Sequence, residues 1–71
     1  MTSDGAMNEL LQEFNDKVDF LKESRSNIVT VLDKHPDIVS VEVLSKIDML
    51  TTKIEKLENY IQQFKDEYNL S

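Results

Sequence analysis

The sequence contains no cysteine and no tryptophan, and it has one glycine, one proline and one histidine. Without cysteine, neither a disulfide nor a thiolate metal site can stabilise the chain. A single glycine excludes a glycine-rich phosphate loop, and His35 alone supplies neither a serine triad nor a set of metal ligands. We therefore expect no enzymatic activity, no catalytic residue, no cofactor and no metal.

Long apolar runs and an excess of basic residues are also missing. No apolar stretch approaches the roughly 18 residues that a membrane-spanning helix needs. No basic segment followed by an apolar one opens the sequence, so we expect a cytoplasmic location. The formal net charge is −6, which disfavours nucleic acid and anionic membranes as partners. A protein partner is the remaining expectation.

What the sequence does contain is a repeat of apolar residues at alternating spacings of four and three. In the second half its members are Val43, Ile47, Leu50, Ile54, Leu57, Ile61, Phe64 and Tyr68. The first half carries the same repeat at Met7, Leu11, Phe14, Val18, Leu21, Arg25, Ile28 and Leu32, with Arg25 as the only polar member. This spacing places each set on one stripe of an α-helix, at the a and d positions of a heptad.

Pro36 separates the two repeats, and proline is typical of a turn or of the first turn of a helix. Folding the chain back at His35–Pro36 pairs the stripes in mirror order, as an antiparallel helical hairpin requires. The expected pairs are Leu32–Val39, Ile28–Val43, Arg25–Ile47, Leu21–Leu50, Val18–Ile54, Phe14–Leu57, Leu11–Ile61 and Met7–Phe64.

We accordingly predict an all-α fold, an antiparallel two-helix hairpin, as a single domain over residues 1–71. Its expected parts are a tail at 1–5, helix one at about 6–33, a turn at about 34–36 and helix two at about 37–68. Two such hairpins can pair into a four-helix bundle, so a homo-oligomer is an alternative to a single hairpin. A short β-hairpin is an alternative for residues 28–44, which are rich in β-branched side chains. Two strands alone are marginal in water, which favours the helices.

Arg25 interrupts the apolar stripe of helix one and has two interpretations. Its aliphatic stem can pack in the seam while the guanidinium reaches solvent or Asp48. Alternatively, the guanidinium specifies the register or binds an acidic group of a partner.

Several apolar residues lie off the two stripes, among them Leu10, Phe20, Met49 and Tyr60. Others concentrate toward the turn, and these are the candidate protein-binding residues: Val29, Val31, Ile38, Val41 and Leu44. A two-helix hairpin has only one internal seam, so residues off the stripes remain exposed. Exposed apolar patches on small proteins often mark a contact surface.

Two resemblances accompany this pattern. The stretch from Ser45 to Glu58 resembles the core of the heat-shock-factor-binding proteins, which are short acidic coiled-coil oligomers, although Pro36 departs from their uninterrupted helix. The layout of about 70 residues, with two helices, a central turn and neither cysteine nor tryptophan, resembles the YscE-like co-chaperones of type III secretion needle subunits. That resemblance implies a hairpin that binds a helical-repeat chaperone or a needle subunit.

The function that we expect is therefore a non-enzymatic protein–protein interaction module, a small co-chaperone or adaptor for a larger helical partner. The alternative is a structural coiled-coil subunit that assembles with itself inside a larger complex. The two hypotheses differ in stoichiometry, since an adaptor pairs with a foreign chain and a structural subunit pairs with its own copies.

Overall fold

A computed structural model describes residues 2–68 of the chain, and the side chains of residues 5–68. Helix α1 spans Thr2–Lys34, a 3-10 turn spans Pro36–Ile38, and helix α2 spans Val41–Tyr68. The two helices pack side by side in a molecule of 55 × 16 × 15 Å, and residues 2–68 contain no strand. The predicted all-α antiparallel hairpin is confirmed.

The core of the hairpin comes from the two apolar stripes. Leu11 and Val18 of α1 pack with Ile54, Ile61 and Phe64 of α2, and Ile54 is the most buried, with 2% of its surface exposed. Met7, Phe14, Leu21 and Leu57, which are partly buried, complete the cluster. Among residues 5–68 no polar or charged side chain is buried. The part of the seam that this cluster occupies is therefore an apolar contact, whose burial drives the pairing of the helices.

Aromatic side chains fill the end of the seam that lies far from the turn. The ring of Phe14 meets Tyr60 edge-on at 5.3 Å and Phe64 edge-on at 6.2 Å between centroids. Phe64 also contacts Tyr68 at 4.9 Å. Edge-to-face pairs of this kind add roughly 0.5–1.5 kcal/mol beyond the area that they bury. They hold together the end of the hairpin that no turn closes.

The connection between the helices is built around Pro36. His35 leaves the helical region, with φ −133° and ψ 67°, because the proline ring disfavours a helical conformation in the residue before it. The backbone N–H of His35 still donates to the Val31 carbonyl at 3.0 Å, which closes α1. Pro36 then occupies the first position of the 3-10 turn, where its missing N–H costs nothing. The exposed His35 side chain makes no capping hydrogen bond to this turn.

Helix α2 begins at Val41, later than the predicted residue 37. Val39 is extended, with φ −65° and ψ 128°, and Ser40 acts as the N-cap: its hydroxyl oxygen accepts the N–H of Val43 at 3.2 Å. Serine is a strong N-cap, whereas the β-branched residues before it favour extended backbone. The predicted start of helix two is therefore wrong by one turn.

The predicted tail at 1–5 is also wrong where the structure describes it. Helix α1 begins at Thr2 and includes Gly5, while Met1 lies outside the described residues. One glycine costs a helix only about 1 kcal/mol relative to alanine, which a long helix tolerates. The β-hairpin alternative for residues 28–44 fails because the heptad stripe continues through Ile28 and Leu32, and both residues lie in α1.

The pairing register differs from the predicted one by a single step of the stripe. Phe14 packs on Tyr60, three residues further along α2 than its expected partner Leu57. Residues 35–40 form the connection, so the chain folds back between Asp37 and Ile38 rather than at His35–Pro36. Because a heptad stripe looks alike after each step, the same two stripes meet in either register.

Arg25 shows the same shift in register and has a different partner from the one expected. Its Nη1 donates to the hydroxyl oxygen of Thr51 at 3.1 Å, and the contact is partly buried. Thr51 lies four residues beyond Ile47, the expected neighbour. The guanidinium therefore ends on a neutral hydroxyl group at the edge of the seam, and the expectation that it reaches Asp48 is wrong.

Candidate functional site

The two long sides of the hairpin can be told apart by an ion pair. Lys22 Nζ lies 3.0 Å from Glu58 Oε2, across the seam from α1 to α2. Residues seven apart lie on nearly the same side of a helix. Val29 therefore shares a side with Lys22, and Leu44 shares a side with Glu58. We call this side, with Lys22, Val29, Leu44, Thr51 and Glu58, the opposite face.

The other long side carries most of the apolar side chains that the seam leaves exposed. Residues two apart point about 160° away from each other on a helix, so Val31 and Tyr60 lie away from Val29 and Glu58. On α1 the same seven-residue spacing joins Leu10, Lys17, Ser24 and Val31, and on α2 it joins Lys46, Lys53 and Tyr60. We call this side the groove face, defined by those seven residues.

Two further large apolar side chains adjoin the groove face. Phe20 lies beside Lys17, whose Nζ is 5.5 Å from the centroid of the Phe20 ring. Met49 borders a shallow depression together with Lys53 and Lys56. Phe20 and Met49 are both more than half exposed. The groove face is therefore an alternation of large apolar side chains and lysines along the length of the hairpin.

At the turn end, the groove face contains an apolar groove of about 320 Å³. Its walls are Asn27, Ile28, Val31, Leu32, Ile38 and Val43. Ile38 is held there by the 3-10 turn, which folds the connection back over the last turn of α1. A groove of this size and lining has room for an aliphatic side chain, and it offers Asn27 as its only polar wall residue.

The five predicted protein-binding residues do not form one patch. Val31 and Ile38 line the groove together. Val29 and Leu44 lie on the opposite face, and Val41, one helical turn before Leu44, lies beside it with 82% of its surface exposed. All five are exposed. The structure thus divides the predicted surface between two faces, and whether any of these residues binds a protein stays a prediction.

Sequence reasoning assigned three of the groove walls to the seam instead. Ile28 and Val43 are half-buried stripe residues that line the groove with one side, and Leu32 does so although it is buried. Leu10, Phe20, Met49 and Tyr60 were recognised only as surplus apolar residues. The signal that could have grouped them is the seven-residue spacing from Leu10 to Val31, parallel to the stripe.

Charge is distributed unevenly over the surface. Five lysines lie along or beside the groove face: Lys17, Lys34, Lys46, Lys53 and Lys56. By the same helical spacing, Glu13, Glu42 and Glu67 also lie there, so the groove face has no excess of acidic side chains. The excess of acidic residues behind the net charge of −6 therefore lies elsewhere on the hairpin. An apolar surface without excess negative charge is the part of an acidic molecule that a second acidic macromolecule approaches with the least repulsion.

No group of three or more histidine, cysteine or acidic side chains converges among the described residues in a way that could hold a metal ion. No helix in the part of the chain that the structure describes is long and apolar enough to cross a membrane. The described residues form a helical hairpin with large apolar side chains exposed along one side. No family model, no curated protein and no solved structure matches the chain.

Proposed function

We propose that this chain is a non-enzymatic protein–protein interaction module, a small adaptor or co-chaperone that binds a helix of a larger protein through the groove face. The observation that carries the proposal is the exposure of large apolar side chains along one side of a hairpin whose seam is already complete. Leu10, Phe20, Val31, Met49 and Tyr60 have between 45% and 61% of their surface exposed.

Helix-in-groove recognition fits this surface. A helix presents anchors at spacings of three and four residues, and an apolar anchor can enter the groove between Val31 and Ile38. A helix lying along the two arms would then form a three-helix arrangement with the same seam geometry as the hairpin. The lysines on either side would meet acidic residues on the polar flanks of that helix.

The choice of a first partner follows from the layout of the chain. The resemblance to YscE-like co-chaperones is the reason to test a helical-repeat chaperone or a needle subunit of type III secretion before other proteins. A cytoplasmic location is part of the same proposal and follows the sequence-based expectation. Nucleic acid is not proposed as a partner, because the chain carries an excess of acidic residues.

Two valines of α1 provide a matched test. Val31 is 48% exposed on the groove face and Val29 is 41% exposed on the opposite face, so either substitution by Asp adds one charge to the same helix at a similar depth. We expect Val31→Asp to abolish capture of the helical partner in pull-downs with tagged protein and Val29→Asp to retain it. Circular dichroism checks that both variants keep the helicity of the original chain.

The reverse pattern would contradict the use of the groove face. If Val29→Asp or Leu44→Asp prevents capture while Val31→Asp does not, the partner binds the opposite face. Val41→Asp is a further test of the opposite face, because Val41 is the most exposed of the large apolar side chains in the described residues. Loss of capture in both sets would show that each face contributes.

The second candidate function is a structural coiled-coil subunit that assembles with itself. The observation that favours it is the distribution of apolar residues on the groove face, which is symmetrical about the middle of the hairpin and thus suits a second copy. The mass of the complex separates the two functions: an adaptor yields a one-to-one complex with a foreign chain, and a structural subunit yields multiples of its own mass.

A further inference from the structure

The large apolar side chains on and beside the groove face are placed symmetrically about one height along the hairpin. On α1, Leu10 and Val31 are equally far from a point between residues 20 and 21, where Phe20 lies. On α2, Met49 and Tyr60 are equally far from a point between residues 54 and 55. The chain folds back between residues 37 and 38, so these two points lie opposite each other at the same height.

Such an arrangement is self-complementary. Consider a two-fold axis at this height that lies in the plane of the contact and runs perpendicular to the helices, from α1 to α2. This axis lays one groove face on another, with α1 antiparallel to α1 of the second copy. The axis brings Leu10 over Val31 of the second copy and Met49 over Tyr60 of the second copy. Because an isologous interface repeats each contact twice, two pairs of apolar residues produce four contacts.

The groove supplies the matching concave feature. Val31 is one of its walls, so the same two-fold axis places Leu10 of the second copy at its mouth. Leu10 stands out from α1 and is nearly half exposed. Each copy would thus contribute one projecting leucine and one groove, and in the dimer each leucine would fill the groove of the other copy.

Area and charge are consistent with this occupant. The molecule measures 55 × 16 × 15 Å, so one long side has a projected area of roughly 900 Å², and a standard protein–protein interface buries about 800 Å² of accessible surface on each partner. The groove face has no excess of acidic residues, whereas the whole chain carries −6. Pairing through this side keeps most of the excess negative charge of the two copies apart.

We propose that the groove face binds the groove face of a second copy, in a symmetrical four-helix bundle in which Leu10 enters the groove beside Val31 of the second copy. The proposal rests on the proposed function, since both use the groove face for binding, and it identifies the occupant in the absence of another helical protein. A foreign helix would then compete with the second copy for the same surface.

The absence of cysteine from the sequence allows a direct test by disulfide formation. The variants Leu10→Cys and Val31→Cys are prepared separately, mixed and oxidised. We expect a covalent dimer from the mixture, and little from either variant alone, because residue 10 lies near residue 31 of the second copy and far from its own counterpart. Leu10→Cys mixed with Val29→Cys is the matched control and should remain uncoupled.

Sedimentation equilibrium provides the second measurement, with the original chain, Val31→Asp and Val29→Asp compared over a wide range of concentrations. The expected result is a reversible dimer for the original chain and for Val29→Asp, and a monomer for Val31→Asp. A monomeric original chain up to millimolar concentration would overturn the proposal, as would efficient coupling of Leu10→Cys to itself.

The failure of this proposal and the failure of the proposed function are distinguishable. A monomer that still captures a foreign helix with the Val31→Asp and Val29→Asp pattern overturns the dimer alone. A dimer with the expected disulfides that captures no foreign protein overturns the adaptor function and leaves the dimer standing.

Salt gives an independent check on the symmetry. The two-fold axis places Lys53 near Lys56 of the second copy and Glu42 near Glu67 of the second copy, and screening relieves such like-charge contacts. We expect dissociation of the dimer to become weaker as salt is raised. Dissociation that becomes markedly stronger with salt would indicate an interface held by opposite charges and would overturn this arrangement.

Discussion

At the scale of single residues, burial decides which apolar side chains stabilise the hairpin. Ile54 and Ile38 are the same residue type in different surroundings: Ile54 is 2% exposed within the seam, and Ile38 is 48% exposed in the turn. Removing a methylene group from a packed core costs its transfer free energy and leaves a small cavity, whereas the same change at an exposed site costs little.

We therefore expect Ile54→Val to lower the free energy of unfolding by about 1 kcal/mol and Ile38→Val to change it by much less. The mild substitution is chosen because a core this small has little stability to lose. Urea denaturation followed by circular dichroism, at a concentration where the chain is monomeric, measures both values. Equal effects at the two positions would contradict the burial of Ile54 in the seam.

Arg25 illustrates how a polar residue is accommodated within an apolar stripe. The sequence places it at a seam position, and the structure turns its guanidinium to the edge of the seam, where Thr51 accepts a hydrogen bond. An arginine in such a position can cover apolar surface with its aliphatic stem while its charge stays partly solvated. The stripe therefore tolerates the arginine without any buried counter-charge.

At the scale of elements, the connection between the helices sets how they meet. Ser40 begins α2 because its hydroxyl oxygen satisfies the N–H of Val43, one of the backbone donors that a helix leaves without a partner at its start. This cap, together with the 3-10 turn at Pro36–Ile38, determines the length of the connection. The length of the connection in turn places the fold-back point.

Ser40→Ala should thus lower the free energy of unfolding by about 1 kcal/mol. Ser40→Asp should keep the free energy of unfolding close to that of the original chain, since aspartate caps as well as serine. Ser45→Ala is the control within α2, where alanine is at least as good a helix former as serine. Urea titrations of the three variants measure the differences. A loss at Ser45 as large as that at Ser40 would argue against the cap.

At the scale of the whole molecule, the hairpin is long and thin, and most of its surface remains open. The core cluster joins only one side of each helix, so most of the groove face stays open in a single copy, apart from the contact of Tyr60 with Phe14. Pairing of two groove faces would add burial that the single copy lacks. Stability would then depend on the concentration of the chain, as it does whenever the folded state alone associates.

We expect the Tm to rise by several degrees over a hundredfold increase in concentration, as mass action predicts for a folded chain that dimerises. Val31→Asp should show a Tm that is independent of concentration, because the added charge lies in the proposed interface. Thermal melts monitored by circular dichroism measure both. A constant Tm for the original chain would mean that the groove face stays open in solution.

The fold class followed from the sequence because the apolar spacing leaves little choice. Two stripes with a period of 3.5 residues, separated by one proline, must cover each other in so short a chain, and the seam residues from Leu11 to Phe64 were identified on that ground. The candidate site was harder to predict from the sequence. The seven-residue spacing on the flanks was present in the sequence, but the register that sets which of these residues lie at the same height was not.

By itself, then, the sequence determined two helices, their inward stripes and the surplus of apolar residues off the stripes. The tertiary structure alone decided the register, and with it which of the surplus residues lie at the same height along the hairpin. The reason is physical: a heptad repeat is nearly unchanged by a shift of one step, so the stripes pair equally well at several offsets. Only the backbone path from His35 to Ser40 selects one offset, and with it the groove between Val31 and Ile38.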